Sequence, residues 1–245
     1  MTAPRRKFTT DRVIPFALAG LLAIPIAALV LQTGNVGAAE EPVAIPAPLV
    51  DAKEAGPLAT AIVAGGCFWG VQAVFQHVDG VESAVSGYAG GTVANPDYHS
   101  VSAGTTGHAE VVEVKYDPAK VSYGKLLQIF FSVAHDPTQL NRQGPDTGTQ
   151  YRSAIYFTDP EQQKIAEPYI DQLDGASVYP APIVTEVAPL DVFYPAEDYH
   201  QDYAFLNPNQ PYIAYNDLPK VANLHELFPD VWRNEPKLVF AENAM

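Results

Sequence analysis

One cysteine constrains this chain more than any other feature. Cys67 is alone among 245 residues, so no intramolecular disulfide can hold the fold together. A hydrophobic core has to do so, and 47% hydrophobic against 17% charged residues is typical of one substantial core rather than of disorder. We find no internal repeat, and we therefore expect one main domain.

The charge distribution argues against a nucleic-acid partner. Four of the 14 basic residues and one of the 28 acidic residues precede residue 40, which leaves 10 against 27 and a charge of −17. A surface that negative repels phosphate backbones, and no run of Lys or Arg follows residue 12. We predict no nucleic-acid binding.

The first 39 residues are typical of an export segment. Positive residues at 5–7 precede an uncharged apolar stretch at 13–31, and the small residues at 36–39 suit a signal peptidase. The apolar stretch is also long enough to cross a bilayer, so a retained membrane anchor is the alternative. Both alternatives predict a domain outside the cytoplasm, either in the periplasm or anchored to the membrane and facing away from the cytoplasm. An unpaired thiol is a liability in such an oxidising compartment, which favours a reactive role for it.

Beyond the leader, the composition predicts two segments. Residues 40–58 are rich in Pro and Ala and predict an extended tether. Residues 59–245 form the predicted catalytic domain.

The apolar pattern of this domain alternates strands with helices, which indicates an α/β or α+β sandwich. A short apolar run at 61–64 enters a helix at Cys67 through two glycines. The other predicted elements are strands at 109–116, 151–157 and 183–187, helices from 122 to before Pro137 and from 160 to about 175, long loops at 81–108 and 136–150, and an irregular tail after Tyr194.

The position of Cys67 favours nucleophilic chemistry. The unpaired N–H groups and the dipole of a helix N-terminus stabilise a thiolate and lower its pKa. Glycines before it let backbone approach a ligand closely. The alternative is that Cys67 is a buried packing residue beside Phe68 and Trp69.

Glu110 is a candidate general acid. Strand alternation places it on the same face as Val112, Val114 and Tyr116, where burial would keep its carboxyl protonated near neutral pH. The alternative is a strand-end glutamate that faces solvent. The His108-x-Glu110 spacing also resembles a zinc deaminase motif, but that motif needs two further cysteines that this chain lacks.

Two tyrosines in or beside the long loops, Tyr98 and Tyr151, could donate hydrogen bonds to a reacting oxygen. Most of the 13 tyrosines must be packing residues, so the pattern alone does not choose between these two and the rest. The six histidines show no metal-ligand spacing, and we predict no metal site.

Together these motifs resemble a known family, the A-class peptide methionine sulfoxide reductases. The resemblance begins with a signature pentapeptide and continues in order over about residues 60–230. Its motifs are Gly66-Cys67-Phe68-Trp69-Gly70, Gly87-Tyr88-Ala89-Gly90-Gly91, Asn95-Pro96-Asp97-Tyr98, Thr106-Gly107-His108-Ala109-Glu110, Tyr116-Asp117-Pro118, His135-Asp136-Pro137-Thr138, Asn141-Arg142-Gln143-Gly144, Gln150-Tyr151-Arg152-Ser153 and Phe193-Tyr194-Pro195-Ala196-Glu197-Asp198-Tyr199-His200-Gln201.

The resemblance implies roles for individual residues. Cys67 would be the nucleophile and Glu110 the acid that protonates the sulfoxide oxygen. Tyr98, Tyr151 and Asp146 would complete the catalytic set by hydrogen bonding and polar support. The substrate site would contain Phe68 and Trp69 as an apolar wall for the S-methyl group, together with Gly66 and His108.

The resemblance also implies a fold and a reaction. The fold would be α+β, a two-layer sandwich with a ferredoxin-like core sheet. The reaction would convert the S epimer of methionine sulfoxide, free or in oxidised proteins and peptides, to methionine, leaving Cys67 as a sulfenic acid. Such an enzyme would repair oxidatively damaged proteins as a monomer, with no bound cofactor.

The chain departs from many relatives at its C-terminus. They carry one or two further cysteines there that resolve the sulfenic acid, and this chain has none. We therefore predict an external thiol reductant, either a thioredoxin-like protein or a small thiol.

Two other functions stay open at this point. A one-cysteine thiol peroxidase would need a cation beside the thiolate, and the next basic residue after Cys67 is Lys115. A non-enzymatic module would use Phe68 and Trp69 to hold methionine-bearing peptides.

Overall fold

The computed structural model describes residues 1–2, 41–52, 56 and 58–240. The chain divides into two units, Met1–Gly34 and Asn35–Met245, and every element below belongs to the second. The predicted leader, apart from its first two residues, lies outside the described residues. In the part that is described, no helix is both long enough and apolar enough to cross a membrane.

A six-stranded mixed sheet, in the order β7-β6-β1-β3-β2-β8, forms one layer of the domain. A separate two-stranded hairpin, β4-β5, lies outside this sheet. The strands are β1 (Ala59–Gly65), β2 (Val81–Ala89), β3 (Ala109–Tyr116), β4 (Arg142–Gln143), β5 (Asp146–Thr147), β6 (Ser153–Phe157), β7 (Glu186–Pro189) and β8 (Tyr194–Pro195).

Helices form the second layer. They are α1 (Phe68–Gln76), α2 (Tyr98–Ser102), α3 (Tyr123–Ile129), α4 (Pro160–Gly175), α5 (Tyr203–Leu206) and α6 (Leu218–Leu227), with π-helical turns at Phe130–Ala134 and Ile213–Asp217. Helix α1 packs on β2 and β3, and α4 packs on β6 and β7.

The connectivity of the central strands is ferredoxin-like. The order β1-α1-β2-β3-α3-β6 is a βαββαβ unit, and its strands lie in the order β6-β1-β3-β2 with antiparallel pairing throughout. Strand β7 extends this sheet by a parallel pairing with β6. The predicted α+β fold is confirmed.

The apolar core occupies both faces of the sheet. The larger part lies between the sheet and the helices and includes Val63, Val112 and Val114. The smaller part, on the opposite face, contains Val111 and Tyr156 and is covered by loop residues. Because Glu110 shares the phase of Val112, its carboxyl is carried into the interior, as the alternation predicted.

The predicted loop at 81–108 is wrong in its first third, which is strand β2. One glycine of this segment does not interrupt the strand but permits a tertiary contact. A side chain at Gly87 would lie within 2.3 Å of the ring of Phe193 and 2.5 Å of the Tyr194 carbonyl, so glycine lets β8 pair with β2. This contact joins residues more than a hundred positions apart, which no local pattern reveals.

Two other elements also differ from the sequence prediction. The strand predicted at 183–187 is β7, which begins at Glu186. The region after Tyr194, predicted as an irregular tail, contains α5 and α6. The prolines of this region suggested irregular structure, but Pro219 stands within the first turn of α6, where proline is tolerated.

The Pro-rich segment lies extended along α3 and α4. Tyr169 donates a hydrogen bond of 2.6 Å to the carbonyl of Pro46, and Gly124 N–H donates one of 2.8 Å to the carboxyl of Asp51. The side chain of Ile45 is buried in the core. Residues 41–52 are therefore part of the domain surface.

Candidate active site

A sharp turn places Cys67 at the entrance of the core. Gly66 has a φ of +87°, and a side chain there would lie 2.4 Å from Cβ of Gln143. Only glycine combines that backbone conformation with so close a neighbour. The turn leads from the end of β1 into α1, with Cys67 as its N-cap residue.

Glu110 lies directly beside this helix start. The backbone N–H of Phe68 donates a hydrogen bond of 3.0 Å to Glu110 Oε2. Cys67 is 9% exposed and Glu110 only 2%. The nucleophile candidate and the acid candidate therefore share one nearly dry environment, and the hydrogen bond leaves Glu110 Oε1 available to carry a proton.

Burial sets the protonation of both groups. It raises the pKa of the Cys67 thiol well above its ordinary value, and the charges of Glu110 and Asp217 act in the same direction. The backbone amide of Trp69 acts in the opposite direction but is outweighed. The expectation that the helix start lowers the thiol pKa in the free protein is therefore wrong, because desolvation exceeds the helix effect.

Glu110 is a neutral acid at pH 7. Burial raises its pKa to about 8, and the charges of Asp146 and Asp217 add to that effect, while the Phe68 amide opposes it. Since a neutral Glu110 no longer repels a thiolate, its protonation favours ionisation of Cys67 at the moment of reaction.

Tyr98 and Tyr151 both face the pair. Burial raises the pKa of each phenol, and the charges of Glu110 and Cys67 raise it further. Both phenols stay protonated at physiological pH and can donate hydrogen bonds. The structure therefore brings the two tyrosines to the same site rather than choosing between them.

Neighbouring contacts hold these tyrosines in place. The Tyr98 amide donates a 2.8 Å hydrogen bond to Glu197, whose other oxygen accepts one of 2.9 Å from Tyr88. Arg152, next to Tyr151, donates to the carbonyls of Thr149 at 2.7 Å and Gly107 at 3.1 Å. The first two bonds link the backbone of Tyr98 to β2, and the Arg152 bonds link the segment of Tyr151 to the loop before β3.

Asp146 belongs to a polar group behind the thiol. Its carboxyl accepts a hydrogen bond from the phenol of Tyr212, and burial raises its pKa. The charge of Lys220 acts to lower the pKa of Asp146 and of Asp217. Asp146 thus supports the site through Tyr212, as a polar network residue would.

Aromatic rings form a wall over the thiol. The Trp69 ring stacks on Tyr203 with centroids 3.9 Å apart, and its indole N–H donates a 3.2 Å hydrogen bond to Nδ1 of His200. His200 also contacts Tyr98 and Phe68, at centroid distances of 4.4 and 5.1 Å. Phe68 is fully buried, whereas Trp69 keeps a partly exposed face.

His108 has a different position from the one that the motif implied. Its Nδ1 accepts a hydrogen bond from the Gly91 amide at 3.1 Å, and its Nε2 lies 2.8 Å from the Val93 carbonyl. Its ring packs edge-on against Tyr194. Both nitrogens of His108 are therefore used to hold the loop after β2.

The sequence did not single out four residues of the site. They are His200, Tyr203, Tyr212 and Asp217, all from the C-terminal region. The family motif at 193–201 contains His200 and could have indicated it. No sequence signal pointed to Asp217.

The fold and the site together define a thiol-dependent oxidoreductase with a neutral acid beside its nucleophile. Residues 59–231 match the family model of peptide methionine sulfoxide reductase. The chain is 62% identical to peptide methionine sulfoxide reductase MsrA 2 of Mesorhizobium japonicum over 192 residues, which is 78% of this chain and 98% of that relative.

Solved structures of methionine sulfoxide reductases support the same family. Methionine sulfoxide reductase A of Corynebacterium diphtheriae matches at 37% identity and a TM-score of 0.55, over 71% of this chain and 88% of that one. Reduced Mxr1 of Saccharomyces cerevisiae matches at 30% identity and a TM-score of 0.57, over 66% and 92%. The chain belongs to the A class of the peptide methionine sulfoxide reductase family.

This class of enzyme reduces methionine sulfoxide and repairs oxidised proteins, and the thiol peroxidase alternative is not favoured. The site gives a physical reason. A peroxidase needs a stabilised thiolate, whereas burial and the charges of three carboxyl groups raise the pKa of Cys67, and one backbone amide opposes them.

Proposed function

We propose that Cys67 attacks the sulfur of a methionine S-sulfoxide and that Glu110 protonates its oxygen. A sulfoxide oxygen leaves poorly unless it is protonated, so the reaction needs a neutral acid within reach of the nucleophile. Two electrons pass from the Cys67 sulfur to the substrate sulfur, and the oxygen ends on Cys67 as a sulfenic acid. Methionine is the other product.

The remaining site residues orient the substrate. Tyr98 and Tyr151 donate hydrogen bonds to the sulfoxide oxygen, which becomes more negative as the bond forms. Phe68 and Trp69 exclude water and receive the S-methyl group, while Asp146 supports them through its bond to Tyr212. Partial exposure of Trp69 leaves room for a methionine that projects from a peptide or protein.

An external thiol regenerates the enzyme. Because Cys67 is the sole cysteine of the chain, its sulfenic acid has no internal partner. A thioredoxin-like protein or a small thiol attacks it directly, with release of water and formation of a mixed disulfide that a second thiol reduces. No bound cofactor takes part.

The enzyme acts outside the cytoplasm as a monomer. The positive cluster and apolar stretch at the N-terminus support export, with either a cleaved signal peptide or a retained anchor. Fractionation of cells and N-terminal sequencing of the mature protein test this. Recovery of the full-length chain in the cytoplasm would overturn it.

The observation that supports the proposal most strongly is the hydrogen bond from the Phe68 amide to Glu110 Oε2, one residue after Cys67. The test is a reductase assay on both epimers of peptide-bound methionine sulfoxide. We expect turnover of the S epimer only, loss of turnover in Cys67→Ser, and a large decrease in Glu110→Gln. Activity retained in Cys67→Ser would overturn the proposal.

A further inference from the structure

A second buried carboxyl group lies at the site without any explanation from the fold. Asp217 is 0% exposed, and neither of its carboxyl oxygens has a hydrogen-bond partner within the described part of the chain. Burying a carboxyl group in this way costs stability, since water would have satisfied both oxygens. Such a group in a native core calls for a functional explanation.

The position of Asp217 points to Cys67. Its Oδ1 lies 2.3 Å from where a side chain on Gly70 would begin, so the carboxyl rests on the first turn of α1. Cys67 is the N-cap residue of that same turn. Asp217 therefore packs against the same helical turn that begins at Cys67, and its charge also raises the pKa of the thiol.

We propose that Asp217 is the general base that accepts the proton of the Cys67 thiol as the thiol attacks the substrate. This inference rests on the proposed role of Cys67 as nucleophile. It answers a question that the site raises, because the charges that act on the buried thiol are those of carboxyl groups, and the thiol needs a proton acceptor. The transfer runs directly or across one water molecule, which is the range over which general bases act.

The proton inventory of the step is balanced. The Cys67 S–H bond breaks and its proton goes to the Asp217 carboxylate, while the sulfur bonds to the substrate sulfur. Glu110 gives its proton to the sulfoxide oxygen. The hydroxyl group then moves to the Cys67 sulfur, and methionine leaves with two more electrons. Asp217 ends protonated and Glu110 ionised, and exchange with solvent restores both.

Burial, modified by charged neighbours, brings the pKa of Asp217 close to neutral pH. Burial raises its pKa to about 7, the charge of Asp146 adds to this, and Lys220 on the same helix opposes it. Glu110 and Cys67 are the titratable groups that face it from β3 and α1. Near neutral pH an appreciable fraction of the protein therefore holds Asp217 as a carboxylate and Glu110 as an acid, which is the pairing that the step needs.

The test is the single-turnover rate of methionine release from reduced protein, measured against pH for wild type and Asp217→Asn. Asparagine keeps the shape but cannot accept the proton. We expect a loss of roughly 100-fold at pH 7. Above pH 7 the ratio of wild-type to variant rates should shrink about tenfold per pH unit, because solvent then ionises the thiol without a base.

Two further measurements separate a base from a structural residue. Alkylation of Cys67 by iodoacetamide without substrate, when solvent can take the thiol proton, measures access to the sulfur; its rate in Asp217→Asn should be at least that of the wild type, since a repelling charge is gone. The thermal midpoint should stay or rise. A rate ratio that is constant with pH, or a variant with the wild-type rate, would overturn the inference.

A second variant covers the case in which Asp217→Asn does not fold. Gly70→Ala pushes the carboxyl away from the helix while keeping it, and should show the same pH-dependent loss to a smaller extent. Asp171→Asn, an exposed acid on α4, is the matched control and should behave as wild type. Failure of the proposed function would appear differently, as no methionine release by the wild type at any pH.

Discussion

The two halves of the active site are held by different kinds of contact. Cys67 and Glu110 belong to the sheet and its first helix, and a glycine turn and one backbone hydrogen bond fix them. The half from His200 to Asp217 is held by buried side-chain amides. Gln72 donates to Gln201 at 2.7 Å, and Gln76 donates to Asp202 at 2.7 Å.

This difference corresponds to a difference in the roles of the two halves. The first half carries the nucleophile and the acid, at the start of the first helix and on the central sheet. The second half closes over them with aromatic rings and adds a buried acid, and its bonds span large sequence separations, as from Trp69 to His200. The nucleophile and the acid thus lie in one half and the enclosing rings mainly in the other, so substitutions in each half should have different signatures.

The largest effect should come from Glu110→Gln, which removes the acid while keeping the shape. We expect the single-turnover rate to fall by about 10²- to 10⁴-fold. In the wild type the acid form is the active one, and burial raises the pKa of Glu110 to about 8, so the rate should decrease as the pH rises through 8. The variant should lack that decrease.

The control for this prediction is Glu113→Gln on the same strand, whose carboxyl pairs with Lys115 at the surface. It should keep both the rate and the decrease above pH 8. If Glu110→Gln retained the wild-type pH profile, the acid would have to be another group, and the first half of the site would not carry the chemistry.

Next in size is Gly66→Ala, which tests the turn that positions the first half. The positive φ and the approach of Gln143 both oppose a side chain, and together they should cost about 3 kcal/mol in the free energy of unfolding. Urea denaturation measures this. Gly175→Ala, where a side chain would meet nothing within 4 Å, should change stability by less than about 1 kcal/mol.

The smallest effect should come from Gln72→Leu, which removes one of the hydrogen-bonded links between the halves. It leaves the Ala84 carbonyl and the Asp202 amide buried without their partner, at a cost of about 2 kcal/mol. Hydrogen exchange should increase in the C-terminal region and not in β1 or β3. In the control Gln163→Leu, only a bond to Glu167 on the same helix is lost.

Equal loss of protection in both halves after Gln72→Leu would contradict the comparison. It would show that the C-terminal region is part of one cooperative core rather than a cover held by a few amides.

The same division decides what the sequence could predict. The turn at Gly66 and the phase of Glu110 follow from local spacing, so local spacing predicts Cys67 and Glu110 as candidate site residues. Strand β2 was missed because Gly87 looks like a breaker unless its contact with Phe193 is known. Local spacing also overestimated the helix effect on the thiol, since burial depends on the whole fold.

The C-terminal half was beyond sequence reasoning for a related reason. Tyr203 and Tyr212 read as ordinary packing residues until their rings are seen against Trp69. Asp217 lies beside a proline and a lysine with no motif around it, and only its burial against Gly70 reveals it. Contacts between distant segments supply this half of the site.

The most direct test of the central claim is to oxidise the reduced protein with excess methionine S-sulfoxide in the absence of any thiol. We expect one methionine released per chain, with Cys67 trapped by dimedone as a sulfenic acid in the mass spectrum. Release of methionine with Cys67 still a free thiol, or an intermolecular Cys67 disulfide as the obligatory product, would contradict it.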